Sequence, residues 1–158
     1  MLRIKQGDQK FNFRIAGILI HEGKVLLHRE KDLYIWALPG GRGEMMEHSA
    51  ETIVREFKEE IGLEVQVDRL VWVAENFFTY KGVKIHELGF YYLLKCEQKS
   101  DLFTKKRFSE IEGDKKRLVF EWFPLDQLPD TFYPPFLHKG LREIPDTLQH
   151  VTFVQEDQ

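Results

Sequence analysis

The clearest rhythm in the chain lies in residues 49–61, where Ala50, Ile53, Val54, Phe57 and Ile61 recur at helical spacing. Such a stripe predicts an amphipathic helix lying on a core by one face. Ser49 is placed as its N-cap and Glu51 suits the positive end of the dipole. Gly62 is placed to end it in a left-handed cap. Elsewhere the rhythm is that of strands. Residues 11–20 and 25–27 flank the polar turn 21–24 and predict a β-hairpin. Residues 63–78 and 86–94, rich in Val, Phe and Tyr around Lys81-Gly82, predict two longer strands. Residues 119–123 predict another, and 151–154 a short last one.

Less regular segments complete the pass. Residues 34–38 read as a short extended piece leading into Pro39-Gly40-Gly41, a turn that brings backbone close to something. Residues 97–116 are polar without a sustained period and are expected to form a long loop. The prolines of 124–129 bound a short helical turn, and 136–143 are expected to form a second helix. The chain of 158 residues reads as one α/β domain, with 155–158 as a frayed tail.

Composition narrows the partners. A formal net charge of −3 argues against a dedicated nucleic-acid binder. The lone Cys96 rules out an intramolecular disulfide and fits a reducing compartment, where it is expected as a small apolar residue near a strand end. No apolar run reaches the length of a membrane span, and residues 1–13 lack the apolar stretch of a secretory signal, so the cytoplasm is the expected location. Phe132, Tyr133 and Phe136 are apolar residues that could line a homodimer contact.

The candidate chemistry sits on the helix. Glu56, Glu59 and Glu60 stand at i, i+3 and i+4, within one sector of its surface. Three acids so close repel one another unless a cation neutralises them. With no paired thiols or histidines nearby, a hard divalent cation, Mg²⁺ or Mn²⁺, fits best. The glycines at 40 and 41 let backbone approach the same point. Together these features favour metal-assisted attack of water on a phosphoanhydride. Solvated acids on a helix are common, and only the surrounding pattern outweighs that plainer reading.

That pattern is Gly41, Glu47 and then Arg55-Glu56-Phe57-Lys58-Glu59-Glu60-Ile61-Gly62-Leu63. It resembles the Nudix box of the MutT-like hydrolases, here at residues 41–63, with Phe57 where an aliphatic residue is more usual. Seven box positions match in register, a coincidence on the order of one in 10⁸ to 10⁹ per starting point. Residues 36–41 and 122–129 resemble the family's lead-in and its closing strand and turn. The resemblance implies an α/β/α sandwich with a mixed sheet between helices. It also implies hydrolysis of a nucleoside diphosphate linked to another moiety: a nucleotide sugar, an ADP-ribose-like compound, or a nucleoside triphosphate including oxidised forms. By position, Glu56, Glu59, Glu60 and Gly41 would hold the metal. Arg55 and Glu47 would orient the helix, and Glu59, ahead of Glu56, would activate water. A non-catalytic nucleotide sensor on the same fold is the alternative, although none of the box acids is missing.

Recognition of the substrate is read outside the box. Arg29 is expected to contact phosphate, its plainer role being a salt bridge with Glu30 or Asp32. Phe78 and Tyr80 are the aromatics to test for nucleobase contact, whereas Trp36, Phe57 and Trp122 are expected in the core. The family often adds a distal carboxylate. Among Glu110, Glu112 and Asp114, Glu112 is favoured for that contact, and Glu87 is a further candidate. The basic clusters at 105–107 and 115–117 read first as solvated loop charge.

Overall fold

The computed structural model describes residues 2–109 and 117–155. Ten strands and two helices follow one another along these residues. They are β1 (Arg3–Gln6), β2 (Gln9–Ile18), β3 (Ile20–His21), β4 (Lys24–Glu30), β5 (Gly40–Arg42), α1 (Ser49–Ile61), β6 (Gln66–Tyr80), β7 (Val83–Lys95), β8 (Arg107–Ser109), β9 (Leu118–Pro124), α2 (Phe136–Gly140) and β10 (Gln149–Val154).

A mixed sheet runs in the order β1-β2-β7-β6-β10, with β5 paired to β2, and a second sheet runs β3-β4-β9-β8. In the mixed sheet β2 pairs parallel with β7 and β10 pairs parallel with β6, whereas β6 and β7 form a long antiparallel hairpin. Successive residues of β2 face opposite ways. Ile15 packs with Ile53 and Phe57 of α1, and Ala16 packs with Leu137 of α2. The sheet therefore lies between helices, as the resemblance implies. Trp36, Phe57 and Trp122 are all core residues.

Sequence periodicity misassigned several partners. Residues 11–20 do not run through one hairpin. The chain leaves the mixed sheet after Ile18, and the hairpin is short: Ile20 and His21 pair with Val25 and Lys24, and Leu26 N donates to Leu19 O. A sequence pattern reveals a strand's two faces but not its neighbour, so the parallel partner β7 went unread. Residues 97–116 are not all loop: Asp101–Phe103 form a turn of 3₁₀ helix and Arg107–Ser109 pair with β9. Residues 124–129 form a turn closed from Pro124 O to Gln127 N rather than a helical segment. The second helix ends at Gly140, short of residue 143.

Two of the three residues expected at a homodimer contact face inward. Phe132 is fully buried, and Phe136 packs edge-on against Trp72 and Tyr91, which leaves Tyr133 as the exposed member of the three. Cys96 lies just past β7, half-buried against the α1 side of the core, with its Sγ donating to Glu64 O. No helix among the described residues is long and apolar enough to cross a membrane.

Candidate functional site

Helix α1 forms where the stripe predicted it. Ile53, Phe57 and Ile61 are buried, and Gly62 adopts φ 70° with its N–H donating to Lys58 O. A residue with a Cβ would be strained at that angle. The N-terminus differs from expectation. His48 is the N-cap without a side-chain cap bond, and Ser49 instead shares a hydrogen bond with the Tyr92 hydroxyl. That bond ties the start of the helix to β7.

The acids of the helix meet around one guanidinium. Arg55 Nε and Nη2 donate to Glu47 Oε2 and Oε1 at 2.9 and 3.0 Å, a two-pronged grip. Its remaining nitrogen, Nη1, reaches Glu59 Oε2 at 3.1 Å and Glu56 Oε1 at 3.3 Å. One cation thus holds three carboxylates. The Arg55 hydrogen bonds, and then the Thr52 hydroxyl, draw the Glu47 carboxyl down to about 2. Glu47 in turn pushes Arg55 above its ordinary value.

Thr52 is the residue that sequence reasoning missed. It is fully buried, and its Oγ1 donates to Glu47 Oε1 at 2.7 Å. The available signal was a hydroxyl on the buried side of an otherwise apolar helix face.

Glycine at 41 is required by close approach. A Cβ built there would stand 2.5 Å from Glu56 Cδ and 2.6 Å from its Oε1. Strand β5 pairs Gly41 with Ile15, and so sets this backbone directly against the helix. Glu56 and Gly41 are therefore adjacent, Glu59 joins them through Arg55, and Glu60 lies on the next turn of the same helix. Among the described residues no group of three or more His, Cys, Asp or Glu already stands in a metal-holding arrangement. The available donors are nonetheless carboxylate and carbonyl oxygens, the set that hard divalent cations take.

Of the residues expected to read the substrate, Arg29 is engaged by backbone and Phe78 and Tyr80 stand further along β6. Arg29 Nη1 donates to the backbone oxygens of Glu30, Lys31 and Leu33, and its guanidinium lies over the Trp36 ring. It binds the turn after β4. Val73 is level with Gly41 through Ile15 and Phe90. Phe78 lies five residues further along β6, about 17 Å at the rise of a strand, and Tyr80 lies beyond it. Phe78 lines a recess with Phe11, Phe77 and His86 at that far end. Arg107 is held by Glu121, its Nε to Oε1 distance being 2.7 Å. Glu110, Glu112, Asp114, Lys115 and Lys116 lie outside the described residues.

Comparison with known proteins bears on the family and the fold. The family model of the NUDIX domain matches residues 12–144. A MutT-like protein of Streptomyces ambofaciens is 39% identical over 70 residues, 44% of this chain and 44% of that one. The chain spans less than half the length of the curated relatives it matches at 39% identity. An 8-oxo-dGTP diphosphatase of Buchnera aphidicola is 24% identical over 129 residues, 79% of this chain and 86% of that one. The crystal structure of an ADP-ribose pyrophosphatase from Streptococcus suis shares the fold at a TM-score of 0.54 and 20% identity, covering 89% of this chain and 98% of the other.

Proposed function

The chain belongs to the NUDIX domain family, and we propose on that footing that it hydrolyses the pyrophosphate linkage of a nucleoside diphosphate joined to another moiety. Nucleotide sugars, ADP-ribose-like compounds and nucleoside triphosphates, oxidised ones included, fall within that class. The observation that carries the reading is the approach of Glu56 to Gly41, with Arg55 gathering Glu47, Glu56 and Glu59 beside it.

In this reading Glu56, Glu59, Glu60 and the Gly41 carbonyl hold Mg²⁺ or Mn²⁺. When bound, the ion supplies charge neutralisation on the phosphates and lowers the pKa of the attacking water. The protein's own groups do the rest. Arg55 and Glu47 fix the rotation of α1, with Thr52 anchoring Glu47 from below. Glu59, with 56% of its side chain exposed, has the freedom to leave Arg55 and accept the proton of water. Gly41 keeps that corner open. The whole chain 1–158 is read as one such domain acting in the cytoplasm, in keeping with its single cysteine.

A panel assay tests the reading: nucleoside triphosphates, their oxidised forms, ADP-ribose, dinucleoside polyphosphates and nucleotide sugars, each with Mg²⁺ and with Mn²⁺. Turnover of at least one class, abolished by chelation, is expected. Tight binding of one compound with no turnover of any would replace the hydrolase with a nucleotide sensor.

A further inference from the structure

The face of the mixed sheet turned away from α1 carries polar residues that the proposed chemistry does not use. Read across the strands in register, Arg3, Asn12, Glu87 and Asn76 form one row. Arg42, Arg14 and Gly89 form the row beside it. The alternation of β2 places Asn12 and Arg14 on the side of Ala16, opposite Ile15 and the helix. The alternation of β5 does the same for Arg42, the neighbour of Gly41.

Two features of these rows are unfavourable for folding alone. Asn12 and Asn76 are only 5% and 2% exposed, yet Oδ1 of each is without a hydrogen-bond partner among the described residues. Asn76 is turned by its Nδ2, which donates to the Tyr91 hydroxyl at 3.4 Å. Buried carbonyls of this kind are normally satisfied, and each exception calls for a reason. Arg14 and Arg42, in turn, sit directly opposite one another on antiparallel strands, where like charges repel. Burial, and then Arg3 and Arg14, press the Arg42 guanidinium below its ordinary value, with Glu87 opposing them. Arg14 has a structural task, donating from Nη2 to Leu38 O at 2.7 Å.

The floor is therefore a line of acceptors, two amide carbonyls flanking a carboxylate, with guanidiniums along its edge. Its complement is a flat group presenting adjacent donors beside an acceptor. Among the nucleobases, guanine alone offers two neighbouring donors, N1–H and the N2 amine, next to an O6 acceptor. Adenine presents one donor beside an acceptor, and cytosine and uracil likewise lack the donor pair.

We propose that this row reads the base of the substrate and that the base is guanine. Glu87 accepts from N1–H and the N2 amine, a flanking asparagine carbonyl takes the second amine hydrogen, and Arg42 donates to O6. The proposal rests on the pyrophosphohydrolase reading and names the substrate class for that site. Recognition and chemistry then meet at adjacent residues, Arg42 and Gly41, on the two sides of β5.

Calorimetric binding of GMP, IMP and AMP to the full chain tests it. IMP lacks only the N2 amine. GMP is expected to bind at least about tenfold tighter than IMP or AMP, the effect of a hydrogen bond to a charged acceptor. Glu87→Gln is expected to remove most of the gap between GMP and IMP. Equal binding of the three nucleotides, or an undiminished gap in E87Q, overturns the proposal. The comparison on the unsubstituted protein decides even if a variant fails to fold. Turnover of a diphosphate with no preference for guanine defeats this inference alone. A preference for GMP without turnover of any diphosphate defeats the hydrolase reading alone.

Discussion

Arg55 clasps Glu47 with two nitrogens, at 2.9 and 3.0 Å, although the two residues lie on different segments, one in the helix and one in the loop before it. The clasp fixes where α1 begins and how it is rotated. Arg55→Ala would leave Glu47, Glu56 and Glu59 facing one another without their shared cation. It is expected to cost about 1.5–3 kcal/mol, the range for hydrogen bonds to charged groups. Denaturant unfolding checks the stability, and an unchanged midpoint would show that the clasp contributes nothing.

Acid should act on the clasp late. The Glu47 carboxyl titrates at about 2 in the folded chain, below its ordinary 4.5. A depressed carboxylate stabilises the fold above its unfolded pKa and loses that contribution as pH falls toward the folded value. Loss of the Glu47 contribution is therefore confined to the window between about 4.5 and 2. The expected readout is a wild-type Tm that falls more steeply across that window than the Tm of Glu47→Gln.

His28 should act at a milder pH. It is 7% exposed, and burial, followed by repulsion from Arg14, lowers it from 6.5 to about 3. The unfolded chain binds a proton there between those two values and the folded chain does not. Stability attributable to His28 is thus full above 6.5 and falls as pH drops toward 3, by up to about 1.4 kcal/mol per unit. Replacing His28 with Gln should flatten the unfolding free energy over pH 4–6, a range about which the wild type should slope.

For the chemistry, Glu59→Gln and Glu60→Gln are each expected to lower kcat by at least about 10²-fold, the scale of a positioned base or a metal ligand. Steady-state kinetics on whichever substrate the panel identifies provides the measure. Full activity in both variants would remove these acids from the mechanism.

Gly41→Ala is the corresponding steric test. The added methyl meets the Glu56 carboxylate, which must move. A strained packing of this kind costs about 1–3 kcal/mol. The Mg²⁺ concentration giving half-maximal rate should rise, whereas Gly23→Ala, strained at φ 77° in the β3–β4 turn, should lower Tm and leave that concentration alone.

Helix α1 was legible because its signals are local: the stripe from Ala50 to Ile61 and the stop at Gly62 lie within one window. The box also placed Glu47, Arg55 and the glutamates, whose spacing alone determines which of them share a side of the helix. What escaped were relationships between residues far apart in sequence. Nothing near Phe13 indicates that β2 lies beside β7, and the apolar run continues through the break at Leu19 as it would through a hairpin strand. Phe132 and Phe136 sit in a segment rich in prolines and polar residues, and only the fold buries Phe132 and packs Phe136 on Trp72 and Tyr91. Arg29 sits where a phosphate contact was expected, but the turn after β4 bends its carbonyls back onto it.

The pairing of β5 with β2 has an evolutionary consequence. Gly41 and Ile15 look toward the helix, and Arg42 and Arg14 look toward the opposite face of the sheet. On the proposed assignment, substitutions on one parity of these strands retune which ligand is chosen while the other parity stays untouched. A lineage built on this scaffold can therefore drift in diet, one side chain at a time, without passing through an inert ancestor.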